Sequence, residues 1–349
     1  MNVVTTSAES SVEEHRRGPT RLGAAWAATR HFQPILVVTA VLFVVLTITQ
    51  SSFATSANLQ NMLTGVSVLW IVAMGMTFVV LTGGADLSVS AVAAFTGILF
   101  AKLLGVGMND WLALVLTCLS GAAIGAVCNG FFIGKMGMSF FVVTLASMIG
   151  ITGIVNLWSG TQSFTVSSSI PTDFGINSYA GLAAPIWIMI ISLVIALYLQ
   201  RWTYFGRRVY SVGGSIAAAR LSGIRTSRTI MAVYALAALC ATIGSIITIG
   251  RVGAASPTVD FDLPLDAIAA VLLGGTSLAG GAGGVGGTAI GVIFFGVLQN
   301  GLSLAGVQSF WQEVATGVIL LVTVLLDQVD GRKLRVRRLV GRRQVQVES

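Results

Sequence analysis

Long apolar runs separated by short polar punctuation fill the chain from residue 34 to residue 327. A helix needs about 20 mostly apolar residues to cross a bilayer. Runs of this kind fall at 34–50, 61–81, 88–106, 111–133, 138–158, 184–200, 229–250, 265–279, 286–303 and 310–327. Several are short and end at glycine pairs, which predicts helices broken or re-entrant there and eight to ten spans in all. The fold class is therefore an all-α membrane protein with one transmembrane domain, 34–327. A polar, Arg-bearing tail (1–33) precedes it, a basic tail (328–349) follows it, and a polar segment (201–228) interrupts it. The first tail has no short apolar core ending in small residues, so it is not read as a cleavable signal.

Charge selects ten spans. With the N-terminus inside, one side carries Arg16, Arg17, Arg21 and Arg30, then Lys135, then Arg201, Arg207, Arg208, Arg220, Arg225 and Arg228. The same side takes Arg332, Lys333, Arg335, Arg337, Arg338, Arg342 and Arg343, which makes 18 of the 20 basic residues. Only Lys102 and Arg251 fall elsewhere, and the external segment 159–183 has no Lys or Arg but holds Asp173. Positive charge is retained in the cytoplasm during insertion, so both termini are expected inside. The net charge of +7 then answers to topology and anionic lipid, and no nucleic-acid partner is expected.

Composition agrees and excludes other classes. Only 9% of the residues are charged and 55% are hydrophobic, against roughly 25% charged in a soluble domain. The 41 glycines beside 6 prolines suit close helix approach in lipid. Cys118, Cys128 and Cys240 lie in apolar runs with no CxxC spacing, so no disulfide framework or metal site is expected. The only histidines, His15 and His31, are in the first tail, which leaves the membrane region without a Ser/His/Asp constellation or an H-E-x-x-H motif. A membrane-embedded protease is thereby disfavoured, as is a histidine proton relay. Asp266 and Glu313 lie in or near spans, where carboxylates can relay protons.

Three segments carry candidate chemistry. TGGADLSVS at 82–90 places Gly83 and Gly84 between two apolar runs, followed by Asp86 and Ser88. Two readings stand: Asp86 caps the next helix, or a broken helix lines a cavity with an ionisable group at membrane depth. In the basic segment 201–228, Ser215 to Ser222 reads as a short helix opened by Ser215 and stopped by Gly223. Such a helix suits a partner's groove, although a basic loop that only enforces topology has the same composition. The third segment, 266–288, contains a literal G-x-G-x-x-G at 281–286. It lacks the βαβ context and the later acidic residue of a dinucleotide site. Gly280, Gly283, Gly284, Gly287 and Gly291 instead make small-xxx-small pairs for helix packing. No GKS or GKT is present, so this chain is not expected to hydrolyse ATP by a P-loop mechanism.

These three segments resemble, in order, motifs of the permease family of ribose/arabinose/xylose-type ABC importers. TGGADLSVS resembles GG-x-DLSVG, with Ser90 where glycine is usual. FGRRVYSVGGSIAAARLSGI at 205–224 resembles FGR-x-x-YA-x-GGN-x-x-AARLSGI, with Ser215 in the Asn place. Residues 266–301 follow the third motif, and the resemblance runs from about Asn58 to Asp327. One departure is Pro264-Leu265-Asp266-Ala267 where the family commonly has Glu-Leu-Asp-Ala, after the acidic stretch from Asp260 to Asp262.

The resemblance implies a permease of the bacterial inner membrane that carries a sugar, a pentose being the modal guess, by alternating access. It implies a second permease copy, two cytoplasmic ATPase subunits that use ATP and Mg²⁺, and a periplasmic solute-binding protein. No cofactor or metal is expected on this chain. The 201–228 segment becomes the coupling loop, with Gly213, Gly214, Ala218, Ala219, Arg220, Leu221, Ser222, Gly223 and Ile224 against the ATPase. Gly83, Gly84, Asp86, Ser88, Asp266, Gly274, Gly275, Thr276 and Ser277 are the candidate pathway or broken-helix residues. The alternative reading is a secondary transporter or channel driven by an ion gradient.

Overall fold

The computed structural model describes residues 33–325. Apart from Gln33, the predicted tails at 1–33 and 328–349 lie outside the described residues, with their basic residues, both histidines and the end of the last predicted span.

A helix overlaps each predicted span. In chain order the helices are α1 Gln33–Thr49, α2 Ser56–Leu81, α3 Val89–Gly105, α4 from Asp110, α5 Phe140–Ser159 and the short α6 Ser169–Gly175. Then come α7 Ala184–Trp202, α8 Tyr204–Gly214, α9 Ile216–Leu221, α10 Thr226–Val252, α11 Asp262–Leu273, α12 Val285–Leu304 and α13 Ser309–Leu325. Six are long and apolar enough to cross a membrane: α2, Asp110–Gly134, α5, α7, α10 and α12. Two antiparallel pairs of two-residue strands complete the described chain. Phe164–Thr165 pairs with Ala254–Ala255, and Ser178–Tyr179 pairs with Leu182–Ala183.

The helices α2 and α10 form the centre. From Leu69 to Leu81 every residue of α2 is buried, and a helix that is apolar all round belongs in the interior. Most of its apolar stretch is buried, whereas α4 and α5 leave most of theirs exposed. Trp70 ties α2 to α7 by donating its indole N–H to the Met189 carbonyl (3.1 Å) and to Ser192 (3.2 Å). Thr77 and Thr288 share a buried hydrogen bond of 2.8 Å between α2 and α12. The helix α10 approaches α2 closely because Gly75 leaves only 2.8 Å between an ideal Cβ position and the Ala237 Cα.

The fourth span, Asp110–Gly134, is not uniform. Its first part is α-helical to Ile124, Gly125–Phe131 is π-helical, and Phe132–Gly134 completes it. The π-turn follows from glycine spacing. Gly121, Gly125, Gly130 and Gly134 all abut α10, where added Cβ atoms would strike Thr242, the Tyr234 carbonyl, the Met231 Cα and the Ser227 carbonyl. The steps are four, five and four residues. In a regular α-helix of 3.6 residues per turn, the five-residue step would swing Gly130 about 140° off the stripe. An i→i+5 turn closes that gap.

Two expectations are corrected at the third motif. The predicted span 265–279 ends at Leu273, because Gly275 adopts φ +82° and Gly274 packs on the backbone of Gly287. The glycines read as small-xxx-small pairs divide into two kinds. Gly287 and Gly291 lie in α12 against α11, whereas Gly280 and Gly283 hold φ of +81° and +104° in a connector. Left-handed backbone there excludes the helix that the packing motif assumes.

Candidate functional site

The three motifs meet at one end of the bundle, and glycine permits the meeting. The α2 helix stops at Leu81, with Gly83 at φ +80°. The buried Leu81 carbonyl at this broken end accepts the Gly281 N–H at 2.9 Å. Gly213, at the end of α8, lies against both: a Cβ there would collide with the Leu81 carbonyl and stand 2.5 Å from the Gly281 nitrogen. A Cβ on Gly280 would stand 2.8 Å from the Gly83 nitrogen and 3.1 Å from the Gly213 Cα. Gly214 ends α8 and lies beside Gly281, while Gly84 is pressed on Tyr234, whose hydroxyl donates to the Ala85 carbonyl at 3.2 Å.

The connector between α11 and α12 is braced from within. Thr276, 1% exposed, accepts the Gly284 N–H at 3.0 Å. Ser277 accepts the Ala279 N–H through its hydroxyl and donates its own N–H to the Ala282 carbonyl. Tyr210 on α8 binds the same connector at Gly283, and Gln200 at the end of α7 binds the first residue of α12, Val285. Burial pushes the Tyr210 phenol above its ordinary value, against smaller opposing effects of Gln200 and Arg201, so it keeps its proton at neutral pH.

Asp86 is fully buried, but it is not the helix cap. Ser88 holds the N-cap position of α3, and Asp86 closes an Asx-type turn in front of it. One carboxylate oxygen accepts the Ser88 N–H (2.9 Å) and the Ser88 hydroxyl (2.6 Å). Of the two sequence readings of Asp86, the cap is therefore corrected: it lies two residues on, at Ser88. Asn129, inside the π-turn, donates to both Asp86 oxygens at 3.3 Å and to Ser88 at 2.7 Å. The polar group at the helix break is thus satisfied from α4. Ser90, where the resembled motif has glycine, buries a hydroxyl with no hydrogen-bond partner among the described residues.

The helix α9 confirms the local reading of 215–222. The Ser215 hydroxyl accepts the Ala218 N–H at 3.2 Å, and Gly223 turns the chain at φ +77°. Ala219 is buried against the bundle and Ile224 is half-buried. Ala218, Ser222 and Gly223 are exposed, and the Leu221 side chain is 91% exposed. Arg220 donates from Nε to Thr226 at 3.2 Å. A cavity of about 230 Å³ opens between α9 and the junction, lined by Thr82, Gly83, Ser139, Phe140, Arg220 and Tyr234, among others.

The junction does not include every candidate. Asp266 is half-buried near the start of α11, beside Asp260 and Asp262, at the opposite end of that helix from Gly274. Glu313 is exposed on α13. Among the described residues no group of three or more His, Cys, Asp or Glu could hold a metal. Sequence reasoning missed Asn129, Gln200, Tyr210 and Tyr234. A lone amide within the apolar run 111–133 was the available signal for Asn129, whereas Gln200 reads as an ordinary span end.

The family described as "Branched-chain amino acid transport system / permease component" matches residues 58–324. The ribose import permease protein RbsC of Escherichia coli (strain K12) is 40% identical over 299 residues, 84% of this chain and 93% of its own length. The L-arabinose ABC transporter permease protein AraH of Azospirillum brasilense is 33% identical over 87% of this chain and 90% of its own. The xylose transport system permease protein XylH of Escherichia coli (strain K12) is 29% identical over 90% and 96%. No solved structure matches the chain. The matched interval begins in α2 and ends in α13, so it takes in the broken ends of α2 and α11, the α8–α9 segment and the junction they form, and the chain belongs to this family of membrane transport permease components.

Proposed function

We propose that the chain is the membrane subunit of an ABC importer for a sugar, and that α9 is the surface its ATPase engages. One observation carries the coupling assignment: a capped, six-residue helix outside the apolar spans presents Leu221 almost wholly exposed, while its base rests on the junction of all three motifs. An apolar knob on a rigid, basic segment suits insertion into a partner's groove.

In this reading the chain crosses the bacterial inner membrane ten times with both termini in the cytoplasm. The support is the side bias of the basic residues, 18 of 20, together with ten apolar helices at the expected positions. The short α11 and the connector behind it, 274–284, act as one broken span. Two permease copies pair with two ATPase subunits, which use ATP and Mg²⁺, and an external binding protein delivers the solute. The named substrates of the relatives, ribose, L-arabinose and xylose, favour a pentose over the amino acid of the family's description. ATP-driven closure of the ATPases pushes on 213–224, and the spans switch between outward- and inward-facing states.

The test is reconstitution. A tagged chain should copurify with a P-loop ATPase, and Arg220→Ala or Gly223→Val should insert normally yet abolish solute-stimulated ATP hydrolysis. Transport by the purified chain alone in liposomes, driven by an ion gradient, would overturn the importer reading. Full stimulation in both variants would remove the coupling role from α9.

A further inference from the structure

The first N–H groups of a helix have no partner within it, and the N-cap of α12 is Gly284, which has no side chain to cap them. Two other elements meet that need. Thr276 accepts the Gly284 N–H (3.0 Å), and Gln200, from the last turn of α7, accepts the Val285 N–H through Oε1 at 2.8 Å. The Gln200 amide lies directly over Gly284, where a Cβ would strike its Nε2.

The remaining polar atoms of this group form a chain with a fixed direction. A backbone N–H can only donate, so the Gln200 oxygen faces Val285 and its Nε2 faces the other way. That Nε2 donates to the Tyr210 hydroxyl at 2.6 Å. The hydroxyl in turn donates to the Gly283 carbonyl, also at 2.6 Å, and a carbonyl can only accept. The direction of each bond is therefore fixed, and the three bonds join the end of α7, the middle of α8 and the start of α12. None of the three contacts involves α9. Beyond it, α12 holds α2 through the buried Thr77–Thr288 hydrogen bond (2.8 Å).

We propose that Tyr210 and Gln200 are positioning residues of the transport cycle: they clamp α8 to the start of α12, so that displacement of α8–α9 moves α12 and, through Thr288, α2. This rests on the importer reading above and adds the route by which the coupling segment reaches the spans. A contiguous polar network between two rigid elements can carry such coupling, but its role needs a measured coupling rather than proximity. Tyr210→Phe keeps the ring and removes the one proton that binds Gly283. Gln200→Leu keeps the volume and removes both amide contacts.

The experiment uses the whole complex, permease with its ATPase subunits and binding protein, in proteoliposomes. Basal ATP hydrolysis, solute-stimulated hydrolysis and solute uptake are measured for the wild type, each variant and the double variant. The expected result is unchanged assembly and basal hydrolysis in both variants, with stimulation and uptake reduced about ten-fold, as for a coupling free energy in the usual range. Because the two residues share one chain of bonds, the double variant should be no worse than the worse single. A simple staple predicts a different pattern, in which assembly, basal and stimulated rates fall together. That pattern, failure to assemble, or stimulation equal to wild type overturns the proposal. A wild-type chain that binds no ATPase would instead overturn the importer reading itself.

Discussion

The chain uses glycine in two regions for opposite reasons. Along the fourth span, Gly121, Gly125, Gly130 and Gly134 have negative φ, and what they lack is a side chain, because α10 occupies that space, with its backbone at the last three and the Thr242 side chain at Gly121. In the connector before α12, Gly275, Gly280, Gly281 and Gly283 have positive φ between +74° and +104°, and what they supply is a backbone shape. The first set holds two helices together over about three turns. The second lets three broken ends touch through backbone alone, at Leu81, Gly213 and Gly281. Abundant glycine in a membrane protein therefore has at least two meanings, packing and turning, and residue spacing alone does not separate them.

The largest effect is expected where the packing role is cleanest. At Gly130 a Cβ would stand 2.6 Å from the Met231 Cα, and backbone cannot move aside as a flexible side chain can. Gly130→Val should force α4 away from α10 at a cost of about 1–3 kcal/mol or more, as for other overpacked cores. Thermal unfolding in detergent measures this. A melting curve like that of the wild type would mean that the stripe does not hold the helices together.

A smaller effect is expected where backbone shape alone is at stake. Gly83 has φ +80° but room around it, the nearest atom to an added Cβ being the Ala279 carbonyl oxygen at 3.5 Å. Gly83→Ala should cost about 1–2 kcal/mol from left-handed strain. Gly83→Asn should recover part of that, because Asn tolerates this region better than other residues. If Asn and Ala melt alike, the cost comes from crowding and the contrast between the two regions weakens.

Much of this was legible in the sequence, and the limits have physical causes. Apolar runs located the helices because lipid penalises polar segments of any length. Ser215 and Gly223 bounded α9 because caps and left-handed stops are tied to particular residues. The helix α8 was missed: Arg207 and Arg208 made Tyr204–Gly214 look like a basic loop, although they sit on its outer face with Val209 and Val212 buried beneath. The sign of φ at Gly280 or Gly283 is not written in glycine's presence, since glycine is chosen wherever either packing or turning requires it. The partners of Asp86 depend on a helix 43 residues away in sequence, and no local pattern announces such a contact.

The smallest effect sharpens the comparison most. If the π-turn exists only to absorb the five-residue step between Gly125 and Gly130, then removing one residue from that step should leave a regular helix with glycines four apart throughout. Val127 is the residue to delete, since it is 58% exposed and lies between the two glycines. Asn129 stays next to Gly130, so its contact with Asp86 survives the change of register. The deletion variant should fold and melt within about 0.5 kcal/mol of the wild type, the range of neutral surface substitutions. Deletion of Ile149 is the matched control, 64% exposed on the regular helix α5. It rotates everything beyond it by about 100° and turns the buried Ile151 and Val155 away from their contacts. Monodisperse protein recovered after heating in detergent should be near normal for the Val127 deletion and largely lost for the Ile149 deletion. Equal damage from both would mean that the π-turn is held by contacts other than the glycine stripe, because a single-residue register change is harmless only where the helix already carries one residue too many.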